Sequence, residues 1–312
     1  MHFVTNKLDV KSFAKCFEAD FNELLELCGD LIYNTNLEYR ICKIKEENEI
    51  IASLNDKCDS KAFSVSGKNR KSDWLNGWDE NLKDFVDSNY NLNALIPKYI
   101  NDDRPLRFDG NYIISKTKYF EQKFSTIFRT WLFTKYFKNI DNIYEFGCGS
   151  GVHITLLARL FKNKKYFGLD WVESSQKILS LIAKNYGWNI TAHKFDFFDP
   201  DYNFSILPNS GIYTFGALEQ IGSDYVKFID YILQNKPKLC VNIECFNELY
   251  DENNEFDLVA LKYHKQRNYL NGYLDYLKQL QDKSVINIKK IKRLNFGSLY
   301  HEVYSYVIWE II

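Results

Sequence analysis

Three of the chain's 14 glycines, Gly147, Gly149 and Gly151, fall within five residues. They follow a short apolar run that ends with Glu145 and Phe146, and a helical pattern comes after them. Glycine is costly in ordered backbone unless the chain needs positive φ or a close approach to a ligand. The N-terminal amides of the following helix attract a carboxylate or a phosphate. The segment therefore predicts a turn at which a ligand lies against bare main chain.

Two further acids end the next two predicted strands. Asp170 closes the run 166–169, where a carboxylate can accept hydrogen bonds from both hydroxyls of a ribose. Asp196 closes the third run, where it can accept from the exocyclic amine of adenine, and Phe197 offers that ring a flat apolar contact. Glu145 faces the glycine turn, where a cationic amine would be favoured. The three acids together predict a site for an adenosine that carries positive charge.

The segments EFGCGSG, LDW and FDF resemble, in this order and spacing, motifs I, II and III of class I S-adenosylmethionine-dependent methyltransferases. The resemblance covers roughly residues 140–312 and implies S-adenosyl-L-methionine as the cofactor. In the roles that it implies, the glycine turn holds the methionine end, LDW the ribose, FDF the adenine, and the segment after the fourth strand lies beneath the sulfonium. The implied cofactor residues are Glu145, Gly147, Gly149, Gly151, Asp170, Trp171, Asp196, Phe197, Gly216, Ala217 and Leu218.

Other chemistries fit the motifs less well. A nicotinamide-dependent oxidoreductase would need G-x-G-x-x-G, but the sixth position is Val152. The fourth strand ends in Thr214-Phe215-Gly216, without the Asn/Asp-Pro-Pro-Tyr signature of enzymes that methylate DNA bases. Paired aspartates of the kind found in metal-dependent catechol-type relatives are also missing, so no metal is predicted.

An alcohol acceptor must lose its hydroxyl proton as it is methylated, so the site needs a side chain that takes up this proton. The candidates for catalysis are His301, Glu219 and His264, and those for acceptor binding are Tyr263, Arg267 and Glu244. The alternatives to these roles are a solvated position for His264, an ion pair for Arg267 and an orienting role for Glu219.

The C-terminal half resembles bacterial methyltransferases of the surface-polysaccharide type, which implies O-methylation of a sugar or glycan precursor. There are two rival hypotheses. One is N- or carboxyl-methylation of another small molecule, and the other is a non-catalytic module that binds the cofactor. An acceptor-dependent turnover assay separates them.

Residues 139–312 alternate β-rich and helical runs, which predicts an α/β fold with a parallel sheet. The resemblance implies a Rossmann-like seven-stranded, mostly parallel sheet with an antiparallel last strand. A single long helix is predicted after the fifth strand, with Tyr263, His264 and Arg267 at its head. The predicted strands are 142–146, 166–169, 190–195, 211–215, 239–243, 285–294 and 303–312, and the helices between them are 152–162, 173–186 and 224–235.

Residues 1–138 are predicted to form a mainly helical lid or accessory region over the acceptor site, or the surface of an oligomer. Its aromatic residues suit stacking on sugar rings or planar acceptors, with ordinary helix packing as the alternative. They are Trp74, Trp78, Tyr90, Tyr99, Tyr112 and Tyr119.

Composition limits the partners. Forty basic and 41 acidic residues give a net charge of −1, which argues against a large nucleic-acid footprint. Nowhere do 18 apolar residues run together, so no membrane insertion is predicted. Seven cysteines without a C-x-x-C pair suggest a reducing, cytoplasmic setting. The predicted partner is a small-molecule or saccharide acceptor.

Overall fold

A computed structural model describes residues 5–98, 100 and 104–312, so that Tyr99 lies outside the described residues. Within that part of the chain there are ten α-helices and twelve strands. None of these helices has both the length and the apolar character that a membrane span requires. The helices are α1 (Val10–Phe17), α2 (Phe21–Tyr33), α3 (Ile44–Asp59), α4 (Lys71–Asp87), α5 (Phe120–Phe137), α6 (Val152–Leu160), α7 (Glu173–Tyr186), α8 (Val226–Asn235), α9 (Glu255–Arg267) and α10 (Tyr273–Asp282). The strands are β1 (Asn6–Lys7), β2 (Glu38–Ile41), β3 (Leu106–Phe108), β4 (Asn111–Ser115), β5 (Asn142–Phe146), β6 (Lys165–Asp170), β7 (Ile190–Lys194), β8 (Ser210–Phe215), β9 (Leu239–Glu244), β10 (Ile286–Lys292), β11 (Phe296–Gly297) and β12 (Ser305–Ile311).

The central sheet has seven strands in the order β10-β12-β9-β8-β5-β6-β7. Strands β9, β8, β5, β6 and β7 are parallel, and β12 runs antiparallel to both of its neighbours. Helices cover both faces of a parallel sheet, which explains why every residue of β5 and β9 is buried. The predicted Rossmann-like sheet with its antiparallel last strand is confirmed.

The register brings the tips of the central strands together. Glu145 on β5 lies opposite Gly168 on β6 and Tyr213 on β8. The glycine turn after β5 and Asp170 at the end of β6 therefore share one edge of the sheet. This is the edge at which ligands bind in open α/β sheets.

A second, small antiparallel sheet has the order β1-β2-β4-β3-β11, which the sequence analysis did not predict. Its strands have two to five residues, too short for a clear alternation of apolar and polar side chains. Strand β11 comes from the C-terminal half and pairs with β3, and Phe296 stacks on Phe124 of α5 at 3.6 Å between ring centroids. The first 138 residues thus pack directly against the second half.

The single long helix predicted after the fifth strand is wrong. The chain forms α9 and α10 instead, because Asn268 ends α9 in the left-handed conformation (φ +53°) and Gly272 adopts φ +77° before α10 begins. As a consequence, Tyr263, His264 and Arg267 lie in the last turns of a separate helix. That helix packs beside α3 of the N-terminal region.

Candidate active site

The glycine turn after β5 is held in place by the end of β6. Gly147, Gly149 and Gly151 all have positive φ, between +50° and +75°. The amides of Gly147 and Cys148 donate to the carbonyl oxygen of Leu169 at 2.7 and 3.1 Å. The Gly149 amide donates to Asp170 Oδ2 at 2.9 Å, and the Val172 amide to Oδ1 at 3.1 Å. Asp170 therefore organises the turn as well as the strand end.

A small cavity of about 70 Å³ lies at these strand tips, and we call it the tip pocket. The indole rings of Trp74 and Trp78 on α4 form one wall, and Phe197 and Phe198 after β7 contribute another. The pocket is apolar apart from a few groups, which suits a flat heteroaromatic ring with one polar edge. Its lining consists of Trp74, Trp78, Gly147, Asp170, Trp171, Phe195, Phe197, Phe198, Gly216, Ala217, Gln220 and Ile221.

Six of the predicted cofactor residues thus line one pocket: Gly147, Asp170, Trp171, Phe197, Gly216 and Ala217. Asp170 is 6% exposed, and burial raises its pKa to about 6. Leu218 is fully buried in the core, and Gly151 packs against Leu179 of α7, so neither is in the lining.

Glu145 and Asp196 are also missing from the lining of the tip pocket. Asp196 Oδ1 accepts a hydrogen bond from the Phe198 amide at 2.9 Å, which shapes the turn after β7. Glu145 is buried, and its Oε2 accepts from the Tyr213 hydroxyl at 2.8 Å, while Oε1 has no hydrogen-bond partner among the described residues. Burial raises the pKa of Glu145 well above its usual value. The adenine role of Asp196 and the methionine role of Glu145 remain predictions.

Gly149 lies directly against a tryptophan of the N-terminal region. A Cβ placed on Gly149 would lie 2.5 Å from the Trp78 ring. Since Gly149 also has φ +50°, Gly149→Ala combines a steric clash with backbone strain. We expect this variant to lose about 5 °C or more in Tm and to displace Trp78, which thermal unfolding and tryptophan fluorescence would detect. Gly110→Ala, at φ +76° in open space, is the matched control for strain alone. An equal loss in the two variants would contradict the contact with Trp78.

A second cavity of about 460 Å³ adjoins the tip pocket, and we call it the large cavity. The two share Trp74, Gly216 and Gln220, so they meet at the tip of β8. The predicted site residues Glu219, Tyr263, Arg267 and His301 line the large cavity. Its lining also includes Arg70, Arg104, Arg129, His153, Tyr269, Tyr300 and Tyr304. Ring faces and charged groups in a volume of this size suit a small polar molecule.

His301 is the end of a hydrogen-bonded chain that leads into the core. Its Nδ1 lies 2.9 Å from His264 Nε2, and His264 Nδ1 contacts the amide oxygen of Asn247. An amide oxygen can only accept, so His264 must carry its hydrogen on Nδ1 and accept at Nε2. His301 then donates through Nδ1, and its Nε2 is left with a lone pair. Burial lowers the pKa of His264 to about 3 and that of His301 well below its usual value, so both rings are neutral.

His264 itself does not line the large cavity and is fully buried behind His301. His264 therefore reaches the large cavity only through His301, and its predicted catalytic role stays a prediction. The solvated alternative for His264 is wrong, because helix α9 faces the core at this residue.

Cys245, His264 and His301 also have the composition of a zinc site, and their ligand atoms lie within 4.8 Å of one another. Tetrahedral zinc with bonds of about 2.0 Å to nitrogen separates two nitrogen ligands by about 3.3 Å. The two imidazole nitrogens instead face each other at 2.9 Å. This spacing is typical of a hydrogen bond between two imidazoles.

One buried acid, Glu244, lies under the turn after β8, and a half-buried acid, Glu219, is part of that turn. Glu244 Oε1 accepts hydrogen bonds from the amides of Ala217 and Leu218, and Oε2 from that of Glu219, at 3.1 to 3.2 Å. Glu244 is fully buried, does not line the large cavity and holds the turn from beneath, while its predicted role in acceptor binding stays a prediction. Burial and the charge of Glu219 raise the pKa of Glu244 to about 8, and burial raises that of Glu219 to about 7.

These two pKa values predict how stability depends on pH. The folded chain holds protons that the unfolded chain releases near pH 4.5, so the free energy of unfolding falls as the pH rises from there through about 7 and 8. Glu219→Gln removes one of these titrations. We expect the variant to lose less stability than the wild type between pH 5 and pH 8, measured by urea unfolding at constant ionic strength. Glu173→Gln, at an exposed position, should behave like the wild type. Parallel curves for Glu219→Gln and the wild type would contradict the pKa of Glu219.

Tyr263 and Arg267 stand on the side of the large cavity that the N-terminal region closes. The Tyr263 ring stacks on Tyr300 at 4.9 Å and meets the edge of Phe63. The Arg267 guanidinium donates to the Ser64 hydroxyl at 2.8 Å and to the Tyr269 hydroxyl at 3.1 Å. It forms no ion pair within 4.0 Å with a carboxylate of the described residues, so the ion-pair alternative for Arg267 is wrong.

Sequence reasoning missed several residues that the structure brings to the site. Trp74 and Trp78 were considered for an acceptor, whereas they wall the tip pocket. Arg129 is a charged residue within the largely apolar segment 127–133 of helix α5, a pattern that could have indicated a functional arginine. Asn247 follows β9 as the first residue of a short 3-10 helix and carries no sequence signal.

The comparisons with known proteins add the following. No protein-family model matches the chain, and no curated protein matches it. Its fold is similar to an O-methyltransferase family 2 protein from Planctomyces limnophilus in complex with apigenin, with 11% identity and TM-score 0.42 over 57% of this chain and 52% of that chain. The [4+2]-cyclase SpnF matches at 12% identity and TM-score 0.47 over 73% and 76% of the two chains. A SAM dependent methyltransferase from Aquifex aeolicus matches at 14% identity and TM-score 0.39, over 57% of this chain and 87% of that chain.

The chain spans about half the length of the first of these proteins. Identities of 11 to 14% describe a likeness of fold alone. The function of the chain therefore rests on the residues of its own site.

Proposed function

We propose that the chain is an S-adenosyl-L-methionine-dependent methyltransferase that methylates a hydroxyl of a small polar acceptor, with a sugar or glycan precursor as the preferred class. The observation that carries the proposal is the tip pocket. A carboxylate, Asp170, and a main-chain turn without side chains meet there beside apolar ring faces. An adenosine needs these groups: acceptors for its ribose hydroxyls and flat contacts for its base.

The pocket residues suit the cofactor in named roles. Asp170 would accept from the ribose with Trp171 beside it, and Phe197 would contact the adenine. Gly216 lies where the tip pocket meets the large cavity, so the sulfonium would point from there toward an acceptor. When bound, the cofactor supplies an electrophilic methyl group. The protein aligns the acceptor oxygen with it, and alignment supplies much of the catalysis in a displacement.

His301 would act as the general base through Nε2. The hydrogen bonds from Asn247 through His264 fix the ring and leave that nitrogen unprotonated. Glu219, with a pKa of about 7, would orient the acceptor or take up the proton. Tyr263 and Arg267 would bind the acceptor through ring faces and a guanidinium without an ionic partner.

The N-terminal region would serve as the lid. Trp74 and Trp78 on α4 wall the tip pocket, and Phe63 and Ser64 touch the acceptor-binding candidates. Its part in an oligomer, the cytoplasmic location and a place in polysaccharide synthesis remain predictions.

Calorimetric titration tests the cofactor. We expect one equivalent of S-adenosylhomocysteine to bind and NAD to give no heat. Incubation of the protein and S-adenosylmethionine with a panel of sugars, amines, carboxylic acids and phenols, followed by product mass, tests the acceptor. Cofactor binding without transfer to any acceptor would favour a non-catalytic module. A product methylated on nitrogen or on a carboxylate would contradict the hydroxyl as the acceptor group.

A further inference from the structure

Arg267 lines the large cavity and has hydrogen-bond donors to spare. Its two hydrogen bonds to side chains go to neutral groups, the hydroxyls of Ser64 and Tyr269. Its Nε is buried and has no hydrogen-bond partner among the described residues. A guanidinium carries five N–H groups, so most of its donor capacity is left unused by the described part of the chain. A ligand in the cavity can take up the donors that remain on the terminal nitrogens.

The acids that line the large cavity do not neutralise Arg267. Asp73 is paired with Arg70 at 3.1 Å, and Glu121 accepts a hydrogen bond from a tyrosine hydroxyl at 3.0 Å. Glu219 acts on Arg267 through its charge, but from beyond the 4.0 Å of an ion pair. Burial raises the pKa of Glu219 to about 7, so near neutral pH this acid carries only part of a charge. A partly buried guanidinium without a counter-charge favours an anionic ligand group.

Two tyrosines of the cavity lining lie between Arg267 and His301. The Tyr269 ring is 5.5 Å from the His301 ring, and its hydroxyl accepts the hydrogen bond from Arg267. The Tyr263 ring is 5.2 Å from the His301 ring and 6.0 Å from the guanidinium carbon of Arg267. The guanidinium and the proposed base are thus separated by about one six-membered ring. A pyranose ring has a similar width, and its apolar C–H face can pack against aromatic rings.

We propose that the acceptor is a sugar acid of the uronate type: Arg267 binds its carboxylate, and a hydroxyl on the opposite side of the pyranose ring faces His301. This inference rests on the proposed function and names the class of sugar that the site takes. A guanidinium matches a planar, singly charged carboxylate, because two parallel N–H groups can meet its two oxygens. A phosphate ester carries about −1.5 to −2 charges at pH 7, which one arginine does not balance and an ionised Glu219 would oppose.

Matched sugars test this inference. The probes are the methyl glycosides of glucuronate, galacturonate and mannuronate, each beside its neutral hexose and the 6-phosphate of that hexose. Product mass gives kcat/KM for methyl transfer, and calorimetry in the presence of S-adenosylhomocysteine gives Kd. We expect at least one uronate to exceed its neutral hexose about 10-fold or more in kcat/KM and in affinity. In Arg267→Gln this preference should fall about 10- to 100-fold, mainly through a higher KM for the uronate, as for a lost charged hydrogen-bond pair.

Arg267→Lys separates a binding role from a structural one. It keeps the positive charge but loses the planar fork, so it should recover part of the preference for the uronate that Arg267→Gln loses. A fold defect would instead lower the Tm and the affinity for S-adenosylhomocysteine, which calorimetry measures in the same samples.

Arg159→Gln, an exposed arginine on α6, is the matched control and should keep the wild-type preference. The sugar acid would be overturned if the wild type preferred the neutral hexoses or the phosphates, or if it bound S-adenosylhomocysteine but no uronate. An undiminished preference in Arg267→Gln would overturn it as well. In each of these cases the proposed function would stand if the wild type methylated a hydroxyl of another acceptor. Wild-type protein that neither binds S-adenosylhomocysteine nor methylates any acceptor would overturn the proposed function itself.

Discussion

Asp170→Asn is expected to lower the affinity for S-adenosylhomocysteine at least about 100-fold. Hydrogen bonds to a charged acceptor contribute about 1.5–3 kcal/mol each, and in the proposed function the carboxylate accepts from two ribose hydroxyls. The same side chain holds the Gly149 and Val172 amides, so the substitution also loosens the glycine turn. Both effects weaken the bound state, and calorimetric titration measures their sum.

The structure offers a control for this experiment three residues further along. Glu173 is an exposed acid at the start of α7, paired only with Lys177 on the surface. Glu173→Gln should retain full affinity. If Asp170→Asn kept wild-type affinity with an unchanged Tm, Asp170 would have no role at the ribose.

The second large effect concerns His301. His301→Ala is expected to reduce methyl transfer by about 10²- to 10⁴-fold, the usual contribution of a general base, with S-adenosylhomocysteine affinity within about twofold of wild type. His264→Ala should reduce the rate less, because it removes the group that orients His301 and leaves Nε2 in place. The measurement is single-turnover transfer to the acceptor found in the panel, together with calorimetry.

The pH profile separates positioning from mere structural support. In wild type the imidazole of His301 stays neutral, because burial depresses its pKa, so protonation of His301 should not lower the rate between pH 8 and about pH 6. In His264→Ala the cavity left by the ring admits water, and the falling limb of the profile should move to higher pH. His193→Asn, a half-buried histidine on β7, is the control that should change neither rate nor profile. If His301→Ala kept wild-type turnover, His301 would not be the general base.

The sequence predicted the central sheet well because local signals agreed with one another. The apolar runs of β5 and β9 and the glycine turn each indicate their own structure without tertiary information. Asp170 was predicted in the pocket because the end of a parallel strand always points to the same edge of the sheet. The small antiparallel sheet gave no such signal, since β11 and its partner β3 lie almost two hundred residues apart and have two and three residues.

The acceptor side could be predicted only in part, because its geometry depends on contacts between distant segments. His264 and His301 are 37 residues apart, and only the folded chain shows that one ring lies behind the other. Glu244 has the same residue type at the same strand end as a binding acid would, yet three backbone amides turn it inward. Residue type and spacing gave the candidates, and burial decided which of them can touch a ligand.

A crystal structure of the protein with S-adenosylhomocysteine tests the central claim most directly. We expect the ribose hydroxyls within hydrogen-bond distance of the Asp170 carboxylate, the adenine between the rings of the tip pocket, and the sulfur beside Gly216 facing the large cavity. A nucleoside bound elsewhere, or a tip pocket that stays empty at saturating ligand, would contradict it.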